Sequence, residues 1–225
     1  ILSQADAIIV NSTAQKKLLL RDFDIPLNRT FLVYDGVALE DIYKAEPFNV
    51  GDKIVLYVGR LEKYKNVDKG IYALEYLPKD FKYVIIGDGP FKGNLRKIAE
   101  DKGMEDRAIF LGHQSDAVLW RWLKTARVLL HLSDVESFGL TPIESLAACT
   151  PTVINDDGLG LRENAALFPD CTEFYKVGKE DMPRLANLLL KVAERKPVNA
   201  DVSRFSWDSV AEKLSEVYKS ILDGL

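Results

Sequence analysis

A chain of 225 residues, 47% hydrophobic and 28% charged, is long enough to bury a sizeable core and has the composition of an ordinary soluble globular protein. Its 30 basic and 34 acidic residues leave a net charge of −4 with no long run of one sign, which excludes the footprint of a nucleic-acid binder. Two cysteines, Cys149 and Cys171, with no C-x-x-C and few histidines nearby, exclude a disulfide framework and a zinc site and fit a reducing compartment.

Short β-branched runs alternate with amphipathic stretches along almost the whole chain, the pattern of βαβ units and a mostly parallel sheet. Strands are expected at residues 7–10 and 30–34, with a helix at 12–21 between them. Residues 37–52 break the pattern with Pro47 and Gly51 and read as a linker. Beyond it, strands at 53–58, 83–86, 108–111, 128–132, 152–154 and 173–175 are interleaved with helices at 67–77, 91–101, 116–125, 142–148 and 179–195, and a last helix covers 207–222. The expected fold class is α/β, a doubly wound parallel sheet of Rossmann type. No apolar run of about 18 residues is available to span a membrane, and Ile1-Leu2-Ser3-Gln4-Ala5-Asp6 lacks the features of a signal peptide. A first residue that is isoleucine implies a fragment or a processed product.

The most informative stretch is Glu136-Ser137-Phe138-Gly139-Leu140-Thr141-Pro142-Ile143-Glu144. It follows the apolar strand Val128-Leu129-Leu130-His131-Leu132, so a strand tip feeds a glycine turn and then a helix start, with Pro142 expected at the first helical position. In open α/β sheets ligands bind beyond the carboxyl ends of strands, and a helix N-terminus offers unpaired N–H groups to an anion. Thr141-x-x-Glu144 also fits a capping box, in which Glu144 serves the helix and no ligand. Glu136 has no such local employment, and spacing alone leaves it open between a ligand contact and a solvated loop carboxylate.

Arg60 and Lys65 flank the loop after the strand 53–58, where they fit either a phosphate or a solvated basic loop. Gly87-Asp88-Gly89-Pro90 reads as a structural turn, since it lacks both a third glycine and a Gly-Lys-Ser/Thr ending. Backbone after Gly112 could meet a base edge, His113 reads as a loop histidine and His131 as a satisfied core residue. Asp22-Phe23-Asp24 imitates a metal motif but closes a helix, Trp120, Trp122 and Trp207 fit core packing, and no nucleophile elbow is present. Two carboxylates in this setting do not fit a glycoside hydrolase.

In this order, Val58-Gly59-Arg60-Leu61 with Lys65, Ile85-Ile86-Gly87-Asp88-Gly89-Pro90 and the E-x7-E stretch 136–144 resemble the retaining glycosyltransferases of the GT-B fold, family 4. Ala5-Asp6-Ala7-Ile8-Ile9-Val10-Asn11-Ser12, Asp35-Gly36-Val37 and Phe205-Ser206-Trp207-Asp208 also have counterparts there, so the resemblance covers essentially the whole chain. It implies the C-terminal, donor-binding half of a GT-B enzyme. Residues 1–46 would be closing elements of a missing N-terminal domain plus the linker, and 47–225 the nucleotide-sugar domain with its crossover helix.

The resemblance further implies a UDP-, GDP- or ADP-sugar donor held by Gly59, Arg60, Lys65, Gly87, Gly112, His113, Glu136, Phe138, Gly139, Leu140 and Glu144. Arg60 and Lys65 would neutralise the diphosphate, Glu136 would lie by the sugar and Glu144 would hold the ribose. Glu136, Arg60 and Lys65 are the catalytic candidates. No metal and no cofactor is implied. The acceptor would be a glycan, lipid-linked or small-molecule hydroxyl, and the location cytoplasmic, with a lipid-linked acceptor bringing the protein to the membrane periphery. Three positions depart from the family: Cys149 replaces a glycine, Asp35 an asparagine, and 158–163 follows the glycine-rich loop only loosely, which bears on the donor-sugar pocket. The rival reading is a non-catalytic nucleotide-sugar or partner-binding module of the same fold; a sugar-nucleotide epimerase is disfavoured by E-x7-E.

Overall fold

Apolar runs that are buried on both faces need helices on both sides, and the sheet has them. The protein is described by a computed structural model for residues 4–23, 25–156, 160–178 and 181–223. Ile1 to Ser3, Asp24 of the metal-like motif, Gly158 and Leu159 of the glycine-rich segment, and the first two residues of the helix expected from Lys179 lie outside the described residues.

Six strands, β3 (Lys53–Val58), β4 (Phe81–Ile86), β5 (Ala108–Gly112), β6 (Val128–His131), β7 (Thr152–Asn155) and β8 (Thr172–Tyr175), form one parallel sheet in the order β5-β4-β3-β6-β7-β8. Alternate residues of each strand point to opposite faces. Val55, Tyr57, Phe81, Tyr83, Ile85 and Leu130 pack beneath α3 (Asp68–Ala73), α4 (Lys92–Asp101) and α8 (Met182–Ala193). Ile54, Leu56, Val84, Ile86 and Leu129 pack beneath α2 (Leu39–Lys44), α5 (Asp116–Thr125) and α6 (Leu140–Ala147). The sheet is thus doubly wound, as its sequence pattern implies.

A second layer stands apart. β1 (Ile8–Val10) and β2 (Thr30–Leu32) pair only with each other, in parallel, with α1 (Thr13–Asp22) between them in the chain. The long final helix α9 (Trp207–Leu222) crosses to this layer, where its Val210 and Val217 pack against Val33.

Two short helices were not anticipated. The expected linker contains α2, whose Leu39 and Ile42 are buried against α5 and α6, so only 45–52 keeps an irregular path. The glycine-rich segment opens α7 (Leu161–Leu167), seated on Ile154 through Leu161 and Ala165. Each helix is too short to show a full apolar period, which is why neither stood out.

Cys149 lies just past the C-terminal end of α6 with φ 58°, the left-handed conformation that glycine adopts without steric cost. The family's glycine at this place has a local backbone reason. The position is also about 15 Å along the helix axis from Gly139, so it does not shape the turn at the other end. Because the side chain is exposed, Cys149→Gly is expected to stabilise the fold by about 1 kcal/mol, read as a shift of the urea midpoint at constant slope.

Candidate functional site

The first strand in the chain order of the large sheet, β3, is a central one, and the connections run outwards from it in both directions. Between β3 and β6 the winding therefore reverses, and the loops leaving their carboxyl ends part to leave a crevice. Gly59, Gly87 and Gly112 line one side of it. Gly59 N–H donates to Ile86 O at 3.0 Å and Gly87 N–H to Gly112 O at 2.8 Å, so three successive strand ends are stitched together. Gly87 has φ +131°, and a Cβ there would stand 1.9 Å from Gly59 O. Bare backbone is required for that approach.

Lys65 leaves β3 through a tight 3-10 turn, and Glu136 leaves β6; they meet across the crevice as an ion pair with both side chains largely buried. The same Glu136 Oε1 lies 2.9 Å from His131 Nε2. To donate to an ionised carboxylate Nε2 must carry a hydrogen, while Nδ1 is buried with no partner among the described residues, the place where a lone pair costs less than a stranded N–H. Burial alone would raise the Glu136 carboxyl, but the hydrogen bonds from His131 and Lys65 and the Lys65 charge outweigh it and hold it at about 2. Glu136 is therefore a fixed anion at neutral pH.

Asn66, the residue after Lys65, adopts φ 54° and donates from Nδ2 to Leu132 O at 2.8 Å and Asp134 Oδ1 at 2.9 Å. It ties the β3 loop to the β6 loop and so sets Lys65 opposite Glu136. His131 and Asn66 are the two residues that motif reading missed. His131 sits in an apolar strand and was expected to be a satisfied core residue, whereas its ring faces a charged site. The left-handed preference of asparagine was the one local signal for Asn66.

Helix α6 begins at Leu140, with Gly139 at the N-cap in a φ +87° conformation and no side chain capping it. This corrects two expectations. Pro142 is the third helical residue, and Thr141 with Glu144 forms no capping box, because the glycine turn starts the helix one residue before Thr141. The N–H groups of Leu140 and Thr141 are left unpaired by any cap at a positive helix end. Glu144 is half-buried one turn on, without a hydrogen bond or ion pair among the described residues. Burial, with the nearby Asp116 charge, pushes its carboxyl up to about 7.

The remaining expected residues are spread around this centre. Arg60 stands at the mouth, 76% exposed, with its guanidinium 2.9 Å from Glu62. His113 is exposed beyond β5, and Gln114 turns back to Leu111 O at 2.7 Å. The Phe138 ring is fully buried between Tyr34 and Phe205, so only its backbone can face a ligand. Asp35 accepts from Asn11 Nδ2 at 2.7 Å, and Asp22 pairs with Arg21 at the exposed end of α1. Hollows of about 400 Å3 beside Tyr72 and Lys102 and about 530 Å3 between α1 and α7 are lined by other residues. The strongly shifted carboxylates Glu136 and Glu144 belong to the segment after β6 and not to either hollow. Among the described residues no group of three His, Cys, Asp or Glu side chains could hold a metal, and no helix is long and apolar enough to cross a membrane.

The sequence model of the glycosyl transferases group 1 matches residues 40–219 of the chain. The chain belongs to that family. Among its relatives, the N-acetylgalactosamine-N,N'-diacetylbacillosaminyl-diphospho-undecaprenol 4-alpha-N-acetylgalactosaminyltransferase of Campylobacter jejuni is 32% identical over 162 residues, 71% of this chain and 44% of its own length. The D-inositol 3-phosphate glycosyltransferase of Xylanimonas cellulosilytica is 26% identical over 243 residues, 97% of this chain and 58% of its own. The chain thus spans about half the length of these group 1 relatives. A crystal structure of Anabaena HepE in complex with UDP and glucose superimposes with TM-score 0.81 at 20% identity, over 96% of this chain and 64% of the other. That likeness establishes the fold, the Rossmann-like α/β arrangement of GT-B glycosyltransferases.

The raised Glu144 carboxyl links folding to pH. Its ordinary value is 4.5 and its folded value about 7, so its contribution to stability is fully present below about 4.5 and is lost as the pH climbs to about 7. Melting curves between pH 4.5 and 8 are expected to show wild type losing stability relative to Glu144→Gln across this window, with no further divergence above it.

Proposed function

We propose that this chain is the donor-binding part of a retaining, metal-independent glycosyltransferase of family 4 that moves a hexose from a nucleoside-diphosphate sugar to an acceptor hydroxyl. The observation that carries the reading is the Lys65–Glu136 pair lying across the switch point beside the uncapped start of α6. When a nucleoside diphosphate departs, negative charge grows on its terminal phosphate. Lys65, Arg60 and the Leu140 and Thr141 N–H groups are fixed positive partners for that charge, and such preorganised groups stabilise a transition state without reorganising. Glu144 is positioned to accept from ribose hydroxyls, Glu136 to lie beside the sugar, and backbone at Gly112 and His113 to meet the base.

In this reading residues 1–46 are closing elements of a preceding Rossmann-like domain that carries the acceptor, plus the linker, whose α2 packs on the large sheet. The two-stranded parallel layer β1–β2, covered by α9, supports it, because a parallel sheet of two short strands is rarely complete by itself. Transfer by this chain alone is therefore weak or absent. Acceptors of the two relatives, by their names, include a lipid-linked glycan and an inositol phosphate. A lipid-linked acceptor would bring a cytoplasmic enzyme to the membrane surface. The non-catalytic alternative would not need Lys65, Arg60, Glu136 and Glu144 to be kept together at the crevice.

Calorimetry with UDP, GDP and ADP, without added metal, tests this. One diphosphate is expected to saturate the chain, and Lys65→Ala to weaken it about 10- to 100-fold, the equivalent of one charge-assisted contact. Failure of all three to bind would contradict the donor-site reading.

A further inference from the structure

Helix α7, whose first turn overlaps the loosely matched glycine-rich loop, touches the glycine turn on one side and the β1–β2 layer on the other. Asn164 is 1% exposed, and both hydrogens of its amide are used, by Phe138 O at 2.5 Å and Gly139 O at 3.0 Å. Its Oδ1 has no hydrogen-bond partner among the described residues, so the hydrogen bonds that orient the side chain there come from the turn. At the start of the helix Gly160 N–H donates to Glu136 O at 2.9 Å, and any Cβ at Gly160 would lie 2.2 Å from Ser137 O. Thus α7 holds the carbonyls on one side of the turn 136–139, which leaves the N–H side at Leu140 turned away from it.

The neighbouring residue faces the other way. The Glu163 carboxylate accepts from Thr13 N–H at 2.7 Å, Thr13 Oγ1 at 2.9 Å and Ala14 N–H at 3.3 Å, capping α1, and from Tyr34 OH at 2.8 Å. Burial, reinforced by this carboxylate, pushes the Tyr34 hydroxyl up to about 12, so it stays a donor. The Tyr34 ring in turn lies 4.9 Å from the Phe138 ring. The contacts close a loop: Phe138 carbonyl to Asn164, Glu163 to Tyr34, and Tyr34 back to Phe138.

We infer that α7 is a strut that positions the turn 136–140 for its ligand and couples it to α1 and β2, with Asn164, Glu163 and Tyr34 as positioning residues that need not touch the ligand. The inference rests on the donor-site reading for the identity of that ligand. The strut itself is a property of the unliganded chain. A change in the stance of α1 and β2 would then be felt at the Leu140 N–H, and a ligand seated there would be felt at α1.

Two readouts separate the inference from the function it serves. In ligand-free 15N–1H spectra, Tyr34→Phe and Glu163→Gln are expected to displace or broaden the Gly139 and Leu140 amide signals, Asn164→Ala more so, while amides of β4 and β5 stay in place. In calorimetry with UDP, GDP and ADP, the diphosphate that binds wild type is expected to bind Asn164→Ala roughly tenfold more weakly and Tyr34→Phe by a smaller factor, with the melting temperature lowered for Asn164→Ala, which loses two buried hydrogen bonds, and nearly unchanged for Tyr34→Phe. A lower melting temperature with unchanged affinity would mean a purely structural role and overturn the inference. Gly139 and Leu140 signals that ignore both Tyr34→Phe and Glu163→Gln would also overturn it. If wild type binds no diphosphate, the donor reading fails, and the spectra alone still decide whether the strut exists.

Discussion

Glu136 is a carboxylate kept ionised in a half-buried place, and the surrounding loops are arranged so that it can be. A charge removed from water must be paired and hydrogen-bonded or it will neutralise itself. Lys65 arrives from β3, His131 from β6, and both converge on one oxygen. Asn66 fixes the loop that carries Lys65, and α7 fixes the turn that follows Glu136. Remove the anion, and the β3 loop that carries Lys65 and the end of β6 that carries His131 lose their common partner. Its partner Lys65 is held in place by the same pair, so the contact that organises this end of the sheet also presents a cation there.

The two carboxylates of the motif do different work because their surroundings differ. Glu136 has two donors and sits at about 2, whereas Glu144 has burial and a like charge nearby and sits at about 7. One is a permanent anion beside Lys65. The other changes charge in the physiological range, and hydroxyl groups are partners it can satisfy in either state.

Much of this is legible in the amino-acid sequence. Fully apolar strands such as Val55-Leu56-Tyr57 announce burial on both faces, and Gly87 marks a strand end where backbone must come close. Local pattern failed where tertiary contacts decide. α2 and α7 are helices of six and seven residues whose burial comes from neighbours far away in the chain. Thr141 and Glu144 have capping-box spacing, but Gly139 can adopt the positive φ that starts the helix earlier. His131 looked apolar by its neighbours, since a strand gives no hint of a carboxylate five residues on that folds back to it. Residue spacing also could not reveal that Glu163 reaches 150 positions back to Thr13.

The central claim is that the Lys65–Glu136 crevice is where a nucleoside diphosphate sits. A crystal structure of the chain soaked with UDP-glucose, GDP-mannose or ADP-glucose tests it most directly. The account predicts the terminal phosphate within hydrogen-bond reach of Lys65 Nζ and the Leu140 N–H, with ribose hydroxyls on Glu144. A diphosphate bound instead in the hollow between α1 and α7, with the Lys65–Glu136 pair undisturbed, would contradict it.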